Sequence, residues 1–216
     1  MYPVLSSNSF APSQKKGVIC ITAVALAILG ASPALAQVPQ SVHQSCMICH
    51  GQTGENTIYP IVPRLNGQQE QYLSWQLNQF KKHTRSDQNA QIYMWPVAQS
   101  LDKQEIQSVA KYYAAQSPMH SASAPRSGEA AGKQIFLQGV ASQGIPACMA
   151  CHAVNATGRG IFPRLAGQRY GYIVQQLTYL HDGNRVNPIM QPVAKKLTNR
   201  QMQDVAAYLS GLDRDQ

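Results

Sequence analysis

A cysteine-x-x-cysteine-histidine pattern occurs twice in this chain of 216 residues. The two copies consist of Cys46, Cys49 and His50, and of Cys148, Cys151 and His152. In this pattern two thiols can bond to the vinyl groups of one porphyrin, and the adjacent histidine can then ligate its iron. Two copies therefore predict two covalently attached c-type haems. Two haems in one small protein indicate electron transfer.

Three other kinds of site use the C-x-x-C spacing: a redox-active dithiol, half of a zinc site and part of a disulfide framework. A thioredoxin-like dithiol lies in a βαβ unit, and no such pattern surrounds either copy. A four-cysteine zinc site would leave the histidine after each pair unexplained, and so would a disulfide framework. Haem attachment is the interpretation that uses all three residues of each motif.

The N-terminal segment has the pattern of a secretory signal peptide. Lys15 and Lys16 form a short basic region, an apolar run follows from Val18 to Leu29, and Ala36 ends a small-x-small cleavage site. We expect cleavage after Ala36, so that residues 1–36 are the signal peptide and the protein reaches the periplasm. A retained membrane anchor is the weaker alternative, because the run is short for a span. Peripheral association with the membrane stays open.

The formal net charge of +8 is spread unevenly over the chain. Residues 37–117 contain six basic and five acidic side chains, whereas residues 118–216 contain ten basic and five acidic ones. A basic second half would steer an acidic redox partner towards it, although an ordinary charged surface is the alternative. Haem propionates would offset part of this charge, and an exported protein does not meet nucleic acid. We therefore expect no nucleic-acid partner.

The two halves of the chain repeat one another. The stretch at residues 63–68 (PRLNGQ) recurs at 163–168 (PRLAGQ), and the stretch at 94–98 (MWPVA) recurs at 190–194 (MQPVA). A repeat of this kind predicts two homologous domains, here residues 37–116 and 127–216. Residues 117–126 contain two prolines and no apolar periodicity, which is typical of a linker. Each half is small for a self-sufficient core, and a haem would add buried apolar surface.

Both halves are predicted to be helical. Apolar residues recur at helical spacing, and a β-strand alternation is nowhere sustained. These stripes are Leu73, Leu77 and Phe80, matched by Ile173, Leu177 and Leu180, and Ile106, Val109, Ala110 and Tyr113, matched by Met202, Val205, Ala206 and Leu209. Asp102 with Glu105, and Thr198 with Gln201, have the spacing of capping boxes that begin the last helix of each half. The predicted fold class is all-α, with two tandem domains, each wrapped around one haem.

Met94 and Met190 are the candidates for the second axial ligand of each iron. They occupy equivalent positions in the repeat, each after a polar, irregular stretch and before Pro-Val-Ala. Ligation by histidine and methionine raises the reduction potential of a haem and suits electron transfer. The sequence predicts a loop methionine that can reach the iron, whereas Met202, on a helix face, is predicted to be core. Generic packing of a gap-filling methionine is the alternative at both positions.

Residues next to the ligands can orient them and adjust the potential. The carbonyl oxygens of Pro63 and Pro163 can accept a hydrogen bond from Nδ1 of the proximal histidine, although an ordinary turn proline is the alternative. Four arginines recur as two equivalent pairs, and one of these pairs could bind the haem propionates. An exposed position is the alternative. These arginines are Arg64, Arg164, Arg85 and Arg185. The remaining histidines are not matched between the halves, and we expect them to face solvent.

With these motifs the chain resembles the cytochrome c4 family of dihaem c-type cytochromes. The resemblance covers nearly all of the exported part and rests on C-M-x-C-H, P-R-L-x-G-Q, Y-x-x-x-Q-L, M-x-P-V-A and the closing helix. It implies two cytochrome c domains, ligation of both irons by histidine and methionine, and the proposed roles of Pro63 and Pro163. It further implies a periplasmic carrier that passes electrons from respiratory donors to a haem-copper terminal oxidase.

The expected function is thus a dihaem electron carrier without catalysis or substrate of its own, whose partners are a membrane-bound oxidase or cytochrome complex. The alternative is a haem enzyme, or the cytochrome subunit of a periplasmic dehydrogenase that oxidises a sulfur compound or an alcohol. A catalytic haem needs an open or displaceable distal position. Each half offers a methionine for that position, which favours the carrier.

The first half departs from the family pattern at its N-terminus. Only residues 37–45 lie between the cleavage site and the first haem motif, whereas the second half has a helix with Gly132 and Phe136 before its own motif. We therefore expect Tyr112 to lack the packing partner that the family pattern gives it. We also expect the first domain to be the less stable of the two, or its haem to be more exposed.

Overall fold

The computed structural model describes residues 38–55, 59–118 and 125–212. The predicted signal peptide, residues 1–36, and most of the predicted linker lie outside the described residues. Residues Ala36–Gln216 belong to one unit in which the two halves of the repeat pack against each other. Within the described ranges, no helix has the length and apolar character needed to cross a membrane.

Helices account for nearly all regular structure in both halves. The first half contains a π-helical turn Val42–Cys46, α1 (Met47–His50), α2 (Glu70–Lys81), a π-helical turn Ala90–Met94, α3 (Trp95–Ser100) and α4 (Lys103–Ala114). The second half contains α5 (Glu129–Gln138), a 3-10 turn Ala141–Gln143, α6 (Met149–His152), α7 (Tyr170–Asp182), α8 (Met190–Ala194) and α9 (Asn199–Gly211). Two isolated β-bridges are the whole of the β structure in the described ranges. The prediction of an all-α fold is confirmed.

Each half buries the apolar stripes that the sequence predicts. In the first half α2 packs on α4, and in the second half α7 packs on α9. All the stripe residues are buried, and Met202 is only 1% exposed, so its assignment to the core is confirmed. Helices α2 and α7 each follow a haem motif and pack on the last helix of their half, α4 or α9. Their apolar stripes therefore form one wall of each predicted haem site.

Capping boxes begin the last helix of each half, as predicted. Asp102 Oδ1 accepts hydrogen bonds from the backbone N–H groups of Gln104 and Glu105, and Glu105 Oε2 accepts from Asp102 N–H at 2.8 Å. In the second half Thr198 Oγ1 accepts from Gln201 N–H, and Gln201 Oε1 accepts from Thr198 N–H. Each box satisfies amide donors that the first turn of a helix leaves unpaired.

The two N-terminal segments differ in construction. In the second half α5 crosses α9 so closely that a Cβ on Gly132 would lie 1.9 Å from the carbonyl oxygen of Asp204. In the first half the π-helical turn leads directly into α1, and fully buried Val42 packs in the same core as Tyr112. Tyr112 is 7% exposed, and its ring lies 5.3 Å from that of Tyr113 in an edge-on arrangement. Among the described aromatic contacts, Tyr208 packs on Phe136 of α5, whereas Tyr112 contacts the adjacent Tyr113. The first half therefore lacks, in its described residues, the partner that the family pattern supplies from an N-terminal helix, as expected.

Candidate haem sites and the interface between them

One cavity of about 570 Å³ is lined by residues of both halves. The apolar stripe residues of α2 and α7 line it, including Leu73, Phe80 and Leu180. Every residue that the sequence singles out for a site lies in its wall except Cys151, whose side chain is exposed. The cavity is therefore continuous from one haem motif to the other across the contact between the halves.

The histidine of each haem motif is held by the same hydrogen bond. Nδ1 of His50 lies 3.0 Å from the carbonyl oxygen of Pro63, and Nδ1 of His152 lies 3.0 Å from that of Pro163. Because a carbonyl oxygen only accepts, Nδ1 carries the hydrogen and Nε2 keeps its lone pair. His152 Nε2 is buried and has no hydrogen-bond partner among the described residues. A buried, unpaired imidazole nitrogen is the arrangement that ligation of an iron requires.

Burial also keeps both imidazoles in the neutral form that binds metal. It lowers the pKa of His50 and of His152 below the usual value, and the hydrogen bond to the proline carbonyl only partly opposes this effect. The four cysteines of the motifs are free of disulfide bonds, and burial raises the pKa of the Cys46 and Cys148 thiols to about 11. Donor chemistry, burial and an apolar wall all fit a covalently held haem in each half.

Met94 and Met190 lie in helical structure and not in loops. Met94 is the last residue of the π-helical turn Ala90–Met94 and precedes α3, and Met190 is the first residue of α8. The prediction of a loop conformation is wrong. The reason is that the polar residues before each methionine cap a helical turn: Asp87 Oδ1 accepts from Ala90 N–H, and Asn187 Oδ1 accepts from Met190 N–H at 2.8 Å. Both methionines are half-buried and line the same cavity as the histidines.

The repeated Pro-Arg-Leu-x-Gly-Gln segment joins the two halves. Gln68 donates from Nε2 to the carbonyl oxygen of Arg164 and accepts at Oε1 from Arg164 N–H, at 3.0 and 2.7 Å. Gln168 makes the same pair of bonds to the backbone of Arg64, both at 2.9 Å. Because each half offers the other the same group, the two halves are related by an approximate twofold axis through this contact.

A cluster of buried polar side chains lies across the same axis. Arg85 donates to Gln76 in its own half and to Gln176 and Tyr172 in the other half. Its counterpart Arg185 repeats this arrangement, and donates to Gln176, Gln76 and Tyr72. Both arginines are 8% exposed. The alternative that these two arginines are exposed is wrong, because the contact between the halves covers them; their pairing with propionates stays a prediction.

The charges of the cluster act on Tyr72. Burial by itself raises the pKa of its hydroxyl, but the nearby Arg185 and Arg85 guanidinium groups outweigh burial, so the pKa lies below its usual value. Of the other two predicted arginines, Arg64 donates from its side chain to the carbonyl oxygens of Glu55 and Gly167. Arg164 is half-buried and lines the cavity. Neither is a freely exposed side chain.

Sequence reasoning did not identify the glutamines and tyrosines of this contact as functional residues. The signal that could have found them is their retention at equal spacing in both halves. Gln76 and Gln176 are 5% and 7% exposed although each lies next to an apolar stripe. A polar side chain repeated beside an apolar stripe indicates a buried polar contact, but only the packing of the halves reveals that the partner is the other copy.

Comparisons with known proteins agree with this architecture. A family model for cytochrome c matches residues 36–115 and again residues 129–213. A solved structure of a cytochrome c4 from Acidithiobacillus ferrooxidans has 58% sequence identity and a TM-score of 0.74, and the match covers 77% of this chain and 98% of the other. The chain belongs to the cytochrome c4 family.

Two other relatives bear on what this cytochrome does. Cytochrome c-552 of Acidithiobacillus ferridurans is 53% identical over 196 residues, which are 90% of this chain and 84% of the relative. A thiosulfate dehydrogenase electron acceptor of Thiomonas intermedia is 34% identical over 190 residues, or 85% of this chain and 86% of the relative. The cytochrome thus has two cytochrome c domains and two covalently bound c-type haems, and it carries electrons between redox proteins.

Proposed function

We propose that the protein is a periplasmic dihaem carrier whose irons are ligated by His50 and Met94 in the first domain and by His152 and Met190 in the second. The observation that carries this proposal is the shared cavity, in which a neutral, oriented imidazole and a half-buried methionine of each half lie in one continuous wall. When bound, the two haems supply the iron centres that alternate between ferric and ferrous forms.

The protein's own residues join the two domains that would hold the haems. Gln68 and Gln168 bond the repeated segments 63–68 and 163–168 of the two domains to one another, next to the prolines that orient the histidines. An electron can therefore pass from one domain to the other without the domains separating. The apolar stripes exclude water from both centres, which favours a small change of solvation on each transfer.

The proposed route runs from a respiratory donor to a haem-copper terminal oxidase. The predicted signal peptide supports the periplasmic location, with cleavage after Ala36 and a linker at residues 117–126. The basic second half supports docking of an acidic partner there. The similarity to a thiosulfate dehydrogenase electron acceptor supports a thiosulfate dehydrogenase as a second candidate electron donor. In either route the protein transfers electrons and performs no catalytic step of its own.

The weak far-red absorption band of a ferric haem with a methionine ligand tests the ligand assignment. We expect Met94→Ala and Met190→Ala each to remove about half of this band, because each leaves one iron without its thioether ligand. Met149→Ala is the matched control, since this methionine is 37% exposed inside a haem motif. An unchanged band in either ligand variant would refute the assignment. A high-spin haem in the wild-type protein would favour catalysis over carriage.

Stopped-flow oxidation of the reduced protein tests the route. Membranes that contain a haem-copper oxidase should oxidise it rapidly, and the rate should fall as salt screens the basic second half. In the opposite direction, a thiosulfate dehydrogenase should reduce the oxidised protein if the second candidate donor is correct. If these membranes do not oxidise the reduced protein, the oxidase is not its electron acceptor and this part of the proposed route is wrong.

A further inference from the structure

The polar cluster at the contact between the halves is built from the same repeated residues except at one position, where one half has a buried charge. Asp87 lies two residues after Arg85, and the equivalent residue two positions after Arg185 is Asn187. Asp87 is 1% exposed, and its Oδ2 lies 2.9 Å from Nε of Arg85. Within the described residues, the acceptors of Arg185 are uncharged amide and hydroxyl oxygens. Among the described residues, a carboxylate therefore pairs with Arg85, whereas the acceptors of Arg185 are all uncharged.

Asp87 and Asn187 otherwise perform the same structural task. Asp87 Oδ1 accepts from Ala90 N–H at 3.2 Å, at the beginning of the π-helical turn that carries Met94. Asn187 Oδ1 accepts from Ile189 N–H at 3.0 Å and from Met190 N–H at 2.8 Å. An amide oxygen is thus sufficient to hold the methionine segment in this fold. The carboxylate of Asp87 adds a charge that the structural task does not require.

We propose that Asp87 makes the two haems unequal, by lowering the reduction potential of the first haem relative to the second. A buried negative charge stabilises the ferric form of a nearby haem, since that form has one more positive charge on the iron, and burial strengthens the effect because water screens it poorly. Asp87 lines the cavity that the two halves share, and within it Asp87 accepts from Ala90 N–H at the start of the segment that holds Met94. The inference rests on the proposed ligation of the first iron by that histidine and methionine.

The second domain has Asn187 in place of this carboxylate and retains the positive charge of Arg185. A positive charge near the iron favours the ferrous form, because that form has one positive charge fewer. The second haem is therefore reduced first in a titration, and an electron that enters through the first domain moves on to the second. Asp87 is a positioning and electrostatic residue, because it acts on the haem through its charge and not by contact with a reacting atom. Its effect gives the internal transfer a direction.

Reciprocal substitutions with a potentiometric titration test this proposal. Asp87→Asn keeps the acceptor for Ala90 N–H and removes the charge, so the ferrous-to-ferric ratio of the first haem at a given potential should rise by about tenfold, equivalent to 59 mV for one electron. Asn187→Asp should lower the ratio for the second haem by a similar factor. The double exchange should reverse the order in which the two haems are reduced.

The two titration steps must be assigned to domains. Met94→His or Met190→His moves one haem to a much lower potential, because histidine in place of methionine lowers it, and leaves the other step in place. The proposal is overturned if the ferrous-to-ferric ratio changes by less than twofold in both single variants. It is also overturned if Asp87→Asn changes this ratio more for the second haem than for the first. If Asp87→Asn fails to fold, judged by far-UV circular dichroism, Asn187→Asp alone decides, because the acceptor at position 187 is retained.

Failure of this inference can be told apart from failure of the proposed function. A wild-type protein that titrates in two one-electron steps and has the methionine-dependent far-red band supports the carrier, whatever Asp87→Asn does. If the band and both steps are present but the potentials do not change in Asp87→Asn and Asn187→Asp, the charge of Asp87 does not set the difference between the two haems. If the band is absent, the ligand assignment itself is wrong.

Discussion

Replacement of Gly132 by alanine should destabilise the second domain selectively. The Cβ of alanine at this position would lie 1.9 Å from the carbonyl oxygen of Asp204, 2.4 Å from its carbonyl carbon and 2.9 Å from Val205 N. Apolar atoms pack best at about 3.5–4.0 Å, so α5 and α9 must move apart by about 1.5 Å. The atoms in the way belong to the backbone of α9, which no change of rotamer can relieve.

The size of the effect follows from two opposing contributions. Inserting a methyl group into a packed contact costs about 1–3 kcal/mol, and the upper end applies because the overlap is with backbone. Alanine in place of glycine within a helix returns about 1 kcal/mol. We therefore expect a net loss of about 2 kcal/mol in the free energy of unfolding. For a domain of this size that lowers the melting temperature by about 8–16 °C.

Thermal unfolding followed through each haem measures this difference. The far-red band is lost from each domain as its methionine leaves the iron, and the ligand variants assign the two transitions. Gly171→Ala is the matched control: Gly171 lies in α7 of the same domain, and its added Cβ would approach only Pro60, at 3.2 Å from the carbonyl oxygen. The control should be neutral or slightly stabilising. An equal effect of both substitutions, or an unchanged second transition in Gly132→Ala, would refute the packing argument.

Three further predictions concern stability. In the wild-type protein the first domain should unfold at the lower denaturant concentration, because its described residues contain no helix crossing like that of α5 on α9; coincident transitions in domain-resolved urea unfolding would contradict this. Gln168→Ala should weaken the contact between the domains by about 1–3 kcal/mol, since it leaves partly buried backbone groups of Arg64 unpaired; Gln203→Ala, an exposed change on α9, should have little effect on the urea midpoint. Asp102→Ala should cost about 1 kcal/mol through loss of the capping box, whereas Asp102→Asn should recover most of it in the same measurement.

Much of this protein follows from local patterns in its sequence. The two haem motifs, the helical stripes and the capping boxes depend on residues a few positions apart, so spacing alone was sufficient to predict the helices and their buried faces. The repeat gave the number of domains, because each half has one haem motif, one candidate methionine and one closing helix. The same repeat also aligns Asp87 with Asn187, although no local pattern indicates that this difference matters.

Tertiary structure decided what the sequence left open. The sequence left open whether Arg85 and Arg185 are exposed to solvent or pair with propionates. The contact between the halves buries both side chains, and each half supplies the hydrogen-bond partners that a buried arginine of the other half needs. Local propensity suggested loops before Met94 and Met190, whereas Asp87 and Asn187 cap helical turns at those positions. Packing also decides that Tyr112 is buried, in the core that includes Val42, although no aromatic residue before the first haem motif contacts it among the described residues. The haem motifs determined which chemistry the chain performs, and the packing of the two copies determined how the two sites are joined and where they differ.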